Sequence, residues 1–243
     1  MSENSVLSLP NSFTTAKAKA DHGSFKNAVR IQESFTARVE KRALVWMAER
    51  LPAWINSDHL TLLGTVAMVL AGAAYYYARW NHIGLLLVIL CLALNWFGDS
   101  LDGTLARVRN RQRPRYGFYL DHIVDAFGAF WLMLGLAFSG YIHPSVAIGM
   151  LIAFLLLSIE VHLATYTLGK FQMSYWKFGP TEIRILLAIG NIRLFMDPFA
   201  HIAGQRYLLF DIGGCIAIAG MSLILIISTL RHTRQLYREE RLS

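Results

Sequence analysis

The chain has 243 residues, 55% of them hydrophobic and only 16% charged, with a formal net charge of +7. Soluble domains carry about 25% charged residues, so this composition, with a mean hydropathy of +0.40, speaks against an ordinary soluble enzyme. It fits a single all-α integral membrane bundle of about six transmembrane helices.

Residues 1 to 28 are rich in Ser, Asn, Lys and Ala, contain no continuous apolar core of signal-peptide type, and are expected to be mobile. From Phe35 the pattern changes. Phe35, Val39, Ala43, Trp46, Met47 and Leu51 recur at helical spacing, while Arg38, Lys41, Arg42 and Arg50 occupy other positions around the same helix. This predicts an amphipathic helix, lying either on an anionic leaflet or against the ends of the bundle. Residues 1–50 thus form an N-terminal segment, and residues 51–243 the membrane domain.

Six spans are predicted near Leu60–Tyr77, Ile83–Arg107, Phe118–Ser139, Pro144–Leu168, Thr181–Phe195 and Leu208–Leu230. The fifth is short and interrupted by Gly190-Asn191. The two cysteines, Cys91 and Cys215, fall in apolar runs and imply no disulfide framework. Basic residues concentrate in the N-terminal segment, in the loop with Arg109, Arg111, Arg113 and Arg115, around Lys170 and Lys177, and in the tail with Arg231, Arg234, Arg238 and Arg241. By the positive-inside rule, both termini and those two loops face the cytoplasm.

Around the second and third spans stand four carboxylates: Asp99, Asp102, Asp121 and Asp125. Charged groups in a membrane cost about 2.5–3.5 kcal/mol each on insertion scales, so four uncompensated aspartates would cost on the order of 10–14 kcal/mol. Divalent cations with oxygen ligands are an economical compensation. Asp99 follows Ile83 by 16 residues, about 24 Å along a helix, which leaves it inside a hydrocarbon core of about 30 Å but near its cytoplasmic edge. The third span returns in the opposite direction, bringing Asp125 level with Asp99 and Asp121 level with Asp102. Asp99, Asp102 and Ala106 share one helix face, as do Gly117, Asp121 and Asp125. Four acids from two antiparallel helices therefore converge on one volume, the geometry of a metal cage.

Gly103, Ala106 and Gly117 call for another reason, because glycine inside a helix costs about 1 kcal/mol relative to alanine. Small residues permit close helix packing or close approach of a ligand, and beside a carboxylate cluster the second is favoured. Arg107 offers a bidentate fork suited to a diphosphate.

Asp99, Asp102, Gly103, Ala106 and Arg107, followed by Gly117, Asp121 and Asp125, resemble the signature of the CDP-alcohol phosphotransferase family. The stretch Val108 to Tyr116 between the two halves is one residue longer than that family's spacing. The resemblance covers the six-span layout from about Leu51 onward. It implies displacement of CMP from a CDP-linked donor by the hydroxyl of an alcohol acceptor, in phospholipid biosynthesis. It further implies that Asp99, Asp102, Asp121 and Asp125 hold two magnesium or manganese ions, that Asp125 takes the acceptor proton, and that Gly103, Ala106, Arg107 and Gly117 line the CDP site. A homodimer is implied by the same resemblance, and no nucleic-acid partner is expected.

Other polar residues stand near this motif. Asn95, one turn before Asp99, either supports the site or bonds a neighbouring helix. Glu160 and His162 lie within the fourth span, which favours a role near the cavity. Thr181 and Glu182 complement a helix start, while Glu182 and Arg184 also suit contact with the acceptor. His122 points about 100° away from Asp121 and is expected to be packed.

Donor and acceptor stay open at this stage. CDP-diacylglycerol with a polar alcohol is favoured, and CDP-choline or CDP-ethanolamine with diacylglycerol is the alternative. A cation transporter is the reading from another class. Against it, the acids lie at one end of the spans, no inverted repeat is visible, and Gly103 and Arg107 have no evident task in a cation path.

Overall fold

The computed structural model describes residues 29–31, 37–168, 170–172, 180–202 and 204–240. The expectation of a mobile segment over residues 1 to 28 lies outside these, as does Phe35. Helices dominate: α1 (Ala37–Arg50), α2 (Ser57–Ala78), α3 (Ile83–Val108), α4 (Pro114–Ala137), α5 (Pro144–Leu168), α6 (Pro180–Met196) and α7 (Leu209–Glu239). Two short strands, β1 (Val29–Ile31) and β2 (Lys170–Gln172), pair in parallel, and β3 (Phe199–Ile202) and β4 (Gln205–Leu208) form a hairpin between α6 and α7.

Helix starts follow local chemistry. Proline opens α4, α5 and α6, where its missing N–H costs nothing and its fixed φ suits the first turn. The Asn81 side chain accepts from the Ile83 amide at 2.9 Å and begins α3. Asp211 in the first turn of α7 accepts from the His143 amide at 2.6 Å, which ties the start of α7 to the start of α5.

Among the described residues, five helices, α2, α3, α4, α5 and α7, are long and apolar enough to cross a membrane. The fifth expected span, α6, has 17 residues and is about 25 Å long, short of a hydrocarbon core of about 30 Å. It is nevertheless unbroken at Gly190-Asn191. The fully buried Asn191 turns its amide back to the Leu187 carbonyl at 2.8 Å and across to the Tyr75 hydroxyl of α2 at 2.8 Å. At the other extreme, α7 runs past Leu230 to Glu239.

The core lies among α2, α3 and α4, where Ala71, Tyr75, Leu85, Val88, Leu132 and Leu136 are buried together. Glycines let these helices meet backbone to backbone. A Cβ on Gly135 would stand 1.9 Å from the Gly72 carbonyl oxygen, and one on Gly98 2.5 Å from that of Leu60. By contrast, α5 and α7 bury few of their apolar side chains fully and leave many exposed, including Ile152, Leu163, Leu223 and Ile227.

The inward face of α1 differs from the expected apolar stripe. Leu44 and Ala48 are buried against Leu60, Leu101 and Leu105, with Met47 and Leu51 alongside. Ala43 and Trp46 are exposed, and Arg50 lies over the Trp46 ring at 4.2 Å. The helix is rotated because short Ala48 and slender Leu44 fit the α2–α3 surface, where the Trp46 indole has no cavity to enter.

Candidate active site

The seam between α2 and α3 sets the first half of the site. Because Gly98 rides directly on Leu60 and Gly64, the polar residues on either side of it are drawn against α2. The Asn95 amide donates to the Gly64 carbonyl at 3.1 Å. One turn beyond Gly98, the Asp102 carboxylate accepts from the Thr61 hydroxyl at 2.6 Å and from the Gly103 amide, while Ser57 donates to the Asp102 carbonyl at 2.9 Å. Thr61 and Ser57 were not among the sequence candidates. Their signal is the polar stripe Ser57, Thr61, Thr65 at spacing four on an otherwise apolar helix.

Arg184 of α6 completes this side. Its guanidinium donates to the Asp99 carboxylate at 2.6 Å and to the Asn95 side-chain oxygen at 2.8 Å. The Arg184 and Asp99 side chains are only 15% and 24% exposed, so the pair sits where a carboxylate alone would be costly. Asn95 thus joins two neighbours: its amide bonds α2 and its side-chain oxygen holds the arginine beside Asp99.

From α4 come Asp121 and Asp125. Asp125 lies on an exposed face of the helix and within electrostatic range of Asp99, Asp121, Arg184 and Asp102. Asp102 likewise senses Asp121 and Asp99. The four acids therefore interact electrostatically across α3 and α4. They do not form a closed cage: among the described residues, no group of three or more His, Cys, Asp or Glu side chains is close enough to enclose an ion. Asp99 and Asp102 are instead engaged by Arg184 and Thr61. The donor set, all carboxylate and hydroxyl oxygen, is the hard chemistry that suits magnesium or manganese.

Next to the acids is open space. A Cβ on Gly103 would meet nothing nearer than the Arg107 guanidinium at 3.7 Å, and one on Gly117 nothing within 4 Å. These two glycines make no helix–helix contact of the kind seen at Gly98 and Gly135, so packing does not account for them. Arg107 is exposed, with its guanidinium on the Thr104 hydroxyl at 3.0 Å, and Ala106 is half-buried beside it. The motif residues thus lie at accessible positions on α3 and α4, away from the helix–helix seams.

The connecting loop is tied down. Arg109 donates to the Leu51 and Ile55 carbonyls at 2.8 and 2.5 Å, and Arg113 pairs with Asp58. Two of the four arginines read as a topology signal thus also anchor the α3–α4 loop to the α1–α2 connection.

Some candidates lie elsewhere. Glu160 is committed to His232 of α7 at 2.6 Å rather than to the acid cluster. His162 packs edge-on against His122 at 4.4 Å between ring centres, and His122, beside Phe118, itself stays near the site, with its Nδ1 4.0 Å from the Asp121 carboxylate. Their positions on α5 follow helix rotation, which apolar composition all round the helix does not reveal. Glu182 occupies the first turn of α6, half-buried, where its charge complements the positive helix end.

Comparison with known proteins identifies the family of the chain. Over 92 residues the chain is 28% identical to the archaetidylinositol phosphate synthase of Pyrococcus horikoshii, a stretch covering 38% of this chain and 46% of that protein. The chain therefore matches less than half the length of that relative. The sequence model of the CDP-alcohol phosphatidyltransferase family matches residues 54–227, which include every motif aspartate, both open glycines and Arg184. This multi-pass membrane protein belongs to the CDP-alcohol phosphatidyltransferase family.

Proposed function

We propose that the protein transfers a substituted phosphate group from a CDP-linked donor, CDP-diacylglycerol in the favoured reading, to an alcohol acceptor, with release of CMP. The observation behind this reading is the mutual electrostatic interaction of Asp99, Asp102, Asp121 and Asp125 beside the uncrowded glycines Gly103 and Gly117. Phosphoryl transfer asks a protein chiefly for positioning and for control of charge on phosphate oxygens.

The residue roles follow from their places. Gly103, Ala106 and Gly117 leave room for the donor nucleotide, and the exposed Arg107 offers donors to its diphosphate. Thr61 and the Gly103 amide fix the rotamer of Asp102, and Arg184 with Asn95 fixes Asp99. Asp99, Asp102, Asp121 and Asp125 would hold two magnesium or manganese ions, which neutralise phosphate charge and acidify the acceptor hydroxyl when bound. Asp125, on the exposed face of α4, takes the acceptor proton. The acceptor oxygen forms its bond to the phosphorus that carries the lipid, and the bond from that phosphorus to the CMP oxygen breaks.

An anionic acceptor is the favoured partner. Arg184 is the cation nearest the acids, and the Pyrococcus relative is named for making archaetidylinositol phosphate. In the cell, the positive-inside pattern supports a cytoplasmic side for the site and both termini, with α6 as the short fifth span of six. The outward Trp46 and the basic residues of α1 suit the membrane interface, and the outward apolar surfaces of α5 and α7 leave room for a homodimer.

The test is a panel of acceptors with each CDP donor, in detergent with magnesium, read as CMP release. Turnover with CDP-diacylglycerol and an inositol or glycerol phosphate supports the reading. Turnover only with CDP-choline or CDP-ethanolamine and diacylglycerol reverses the donor assignment, and cation flux in liposomes without CMP release defeats the transferase.

A further inference from the structure

We propose that Glu40, on α1 and outside the family-matched span, is a positioning residue that ties the start of α6 to α3 and so holds Arg184 on Asp99 and Asn95. Its Oε1 accepts from the Trp96 indole N–H at 2.9 Å, from the Thr181 hydroxyl at 2.8 Å and from the Ser100 hydroxyl at 3.5 Å. Each donor is placed beside the site. Trp96 directly follows Asn95, Ser100 directly follows Asp99, and Thr181 precedes Arg184 by three residues on α6. One carboxylate therefore gathers α1, α3 and α6 behind the Arg184–Asp99 pair.

The physical need for such a tether lies in α6 itself. Its fully buried side chains, Asn191 and Leu194, belong to its far half, and none of residues 180–184 is fully buried. Apolar packing thus leaves the turn that carries Arg184 weakly held, and polar contacts must locate it. Glu40 stands at the N-terminal end of α6, where a negative charge is favoured by the unpaired amides and the helix dipole. Leu44 and Ala48, one and two turns along the same face of α1, are buried on α3 and α2, which fixes the carboxylate relative to Asp99.

The inference rests on the proposed transfer reaction only for its kinetic arm. Hydrogen exchange of the purified protein, read at Ile185 to Ala188, whose amides bond back to the first turn of α6, reports the tether without any activity. Glu40→Ala is expected to speed exchange there, Glu40→Gln to keep it near wild type because its amide oxygen still accepts, and Thr181→Val to reproduce the alanine effect with α1 left docked. In turnover, Glu40→Ala is expected to lose about 10–100-fold, the range for residues that orient a functional group. Added to Arg184→Ala it is expected to cost little more, since the two act on one contact. Wild-type exchange in both Glu40→Ala and Thr181→Val, or an additive loss in the double variant, would overturn the proposal. A wild-type protein that transfers nothing defeats the reaction assignment alone, and the exchange result still decides the tether.

Discussion

Arg184 of α6 reaches Asp99 of α3 at 2.6 Å across 85 residues of chain, and the same guanidinium holds Asn95. A partly buried acid next to other acids is thereby given a fixed orientation and a compensating charge. Breaking such a pair from one side leaves the other charge exposed to its unfavourable surroundings. Arg184→Ala is expected to lower both the thermal midpoint and turnover, whereas Arg184→Lys keeps charge but loses the two-pronged grip. Asn95→Ala is expected to reduce turnover by about 10–100-fold. Wild-type kinetics in Arg184→Ala, measured by CMP release, would remove this contact from the site.

Asp125→Asn preserves shape and removes charge and basicity. Loss of a general base costs about 10²–10⁴-fold, so turnover should nearly vanish while CDP-donor binding persists. Calorimetric titration of the donor, beside CMP release, separates the two. Turnover near wild type would take Asp125 out of the proton-transfer role.

The glycines divide into two classes with opposite expected outcomes. Gly135→Ala drives a methyl into the Gly72 carbonyl and should destabilise the bundle by at least about 1–3 kcal/mol. Gly117→Ala meets open space and Gly103→Ala only an ordinary contact with the Arg107 guanidinium at 3.7 Å, and helix propensity favours alanine by about 1 kcal/mol, so their thermal midpoints should hold or rise. Their cost should appear as a raised KM for the CDP donor. Equal stability losses at all three positions would contradict the distinction.

Metal dependence is expected from the acid cluster. Activity is expected to disappear with excess EDTA and to return with magnesium or manganese. Full turnover in excess chelator would exclude the two-ion assignment.

The arginine distribution makes a topological prediction. Arg111→Cys, in the loop between α3 and α4, should resist a membrane-impermeant maleimide applied to intact cells and react after permeabilisation. Labelling from outside would invert the orientation.

Helix positions and the shared faces of the motif were legible in the linear chain because both depend on local spacing. Apolar runs mark the long helices, and the offsets of three and four place Asp99 with Asp102, and Asp121 with Asp125, whatever surrounds them. What periodicity does not encode is the partner opposite each face. Thr61 on Asp102, Arg184 on Asp99 and Glu40 on Thr181 join residues 41, 85 and 141 positions apart, and each pairing depends on how the helices are rotated and how closely they approach. That approach is decided where Gly98 meets Leu60 and Gly64, with no side chain between the backbones. Tertiary packing likewise selected Leu44 and Ala48 over Trp46 as the inward face of α1, since burial requires a complementary surface as well as an apolar residue.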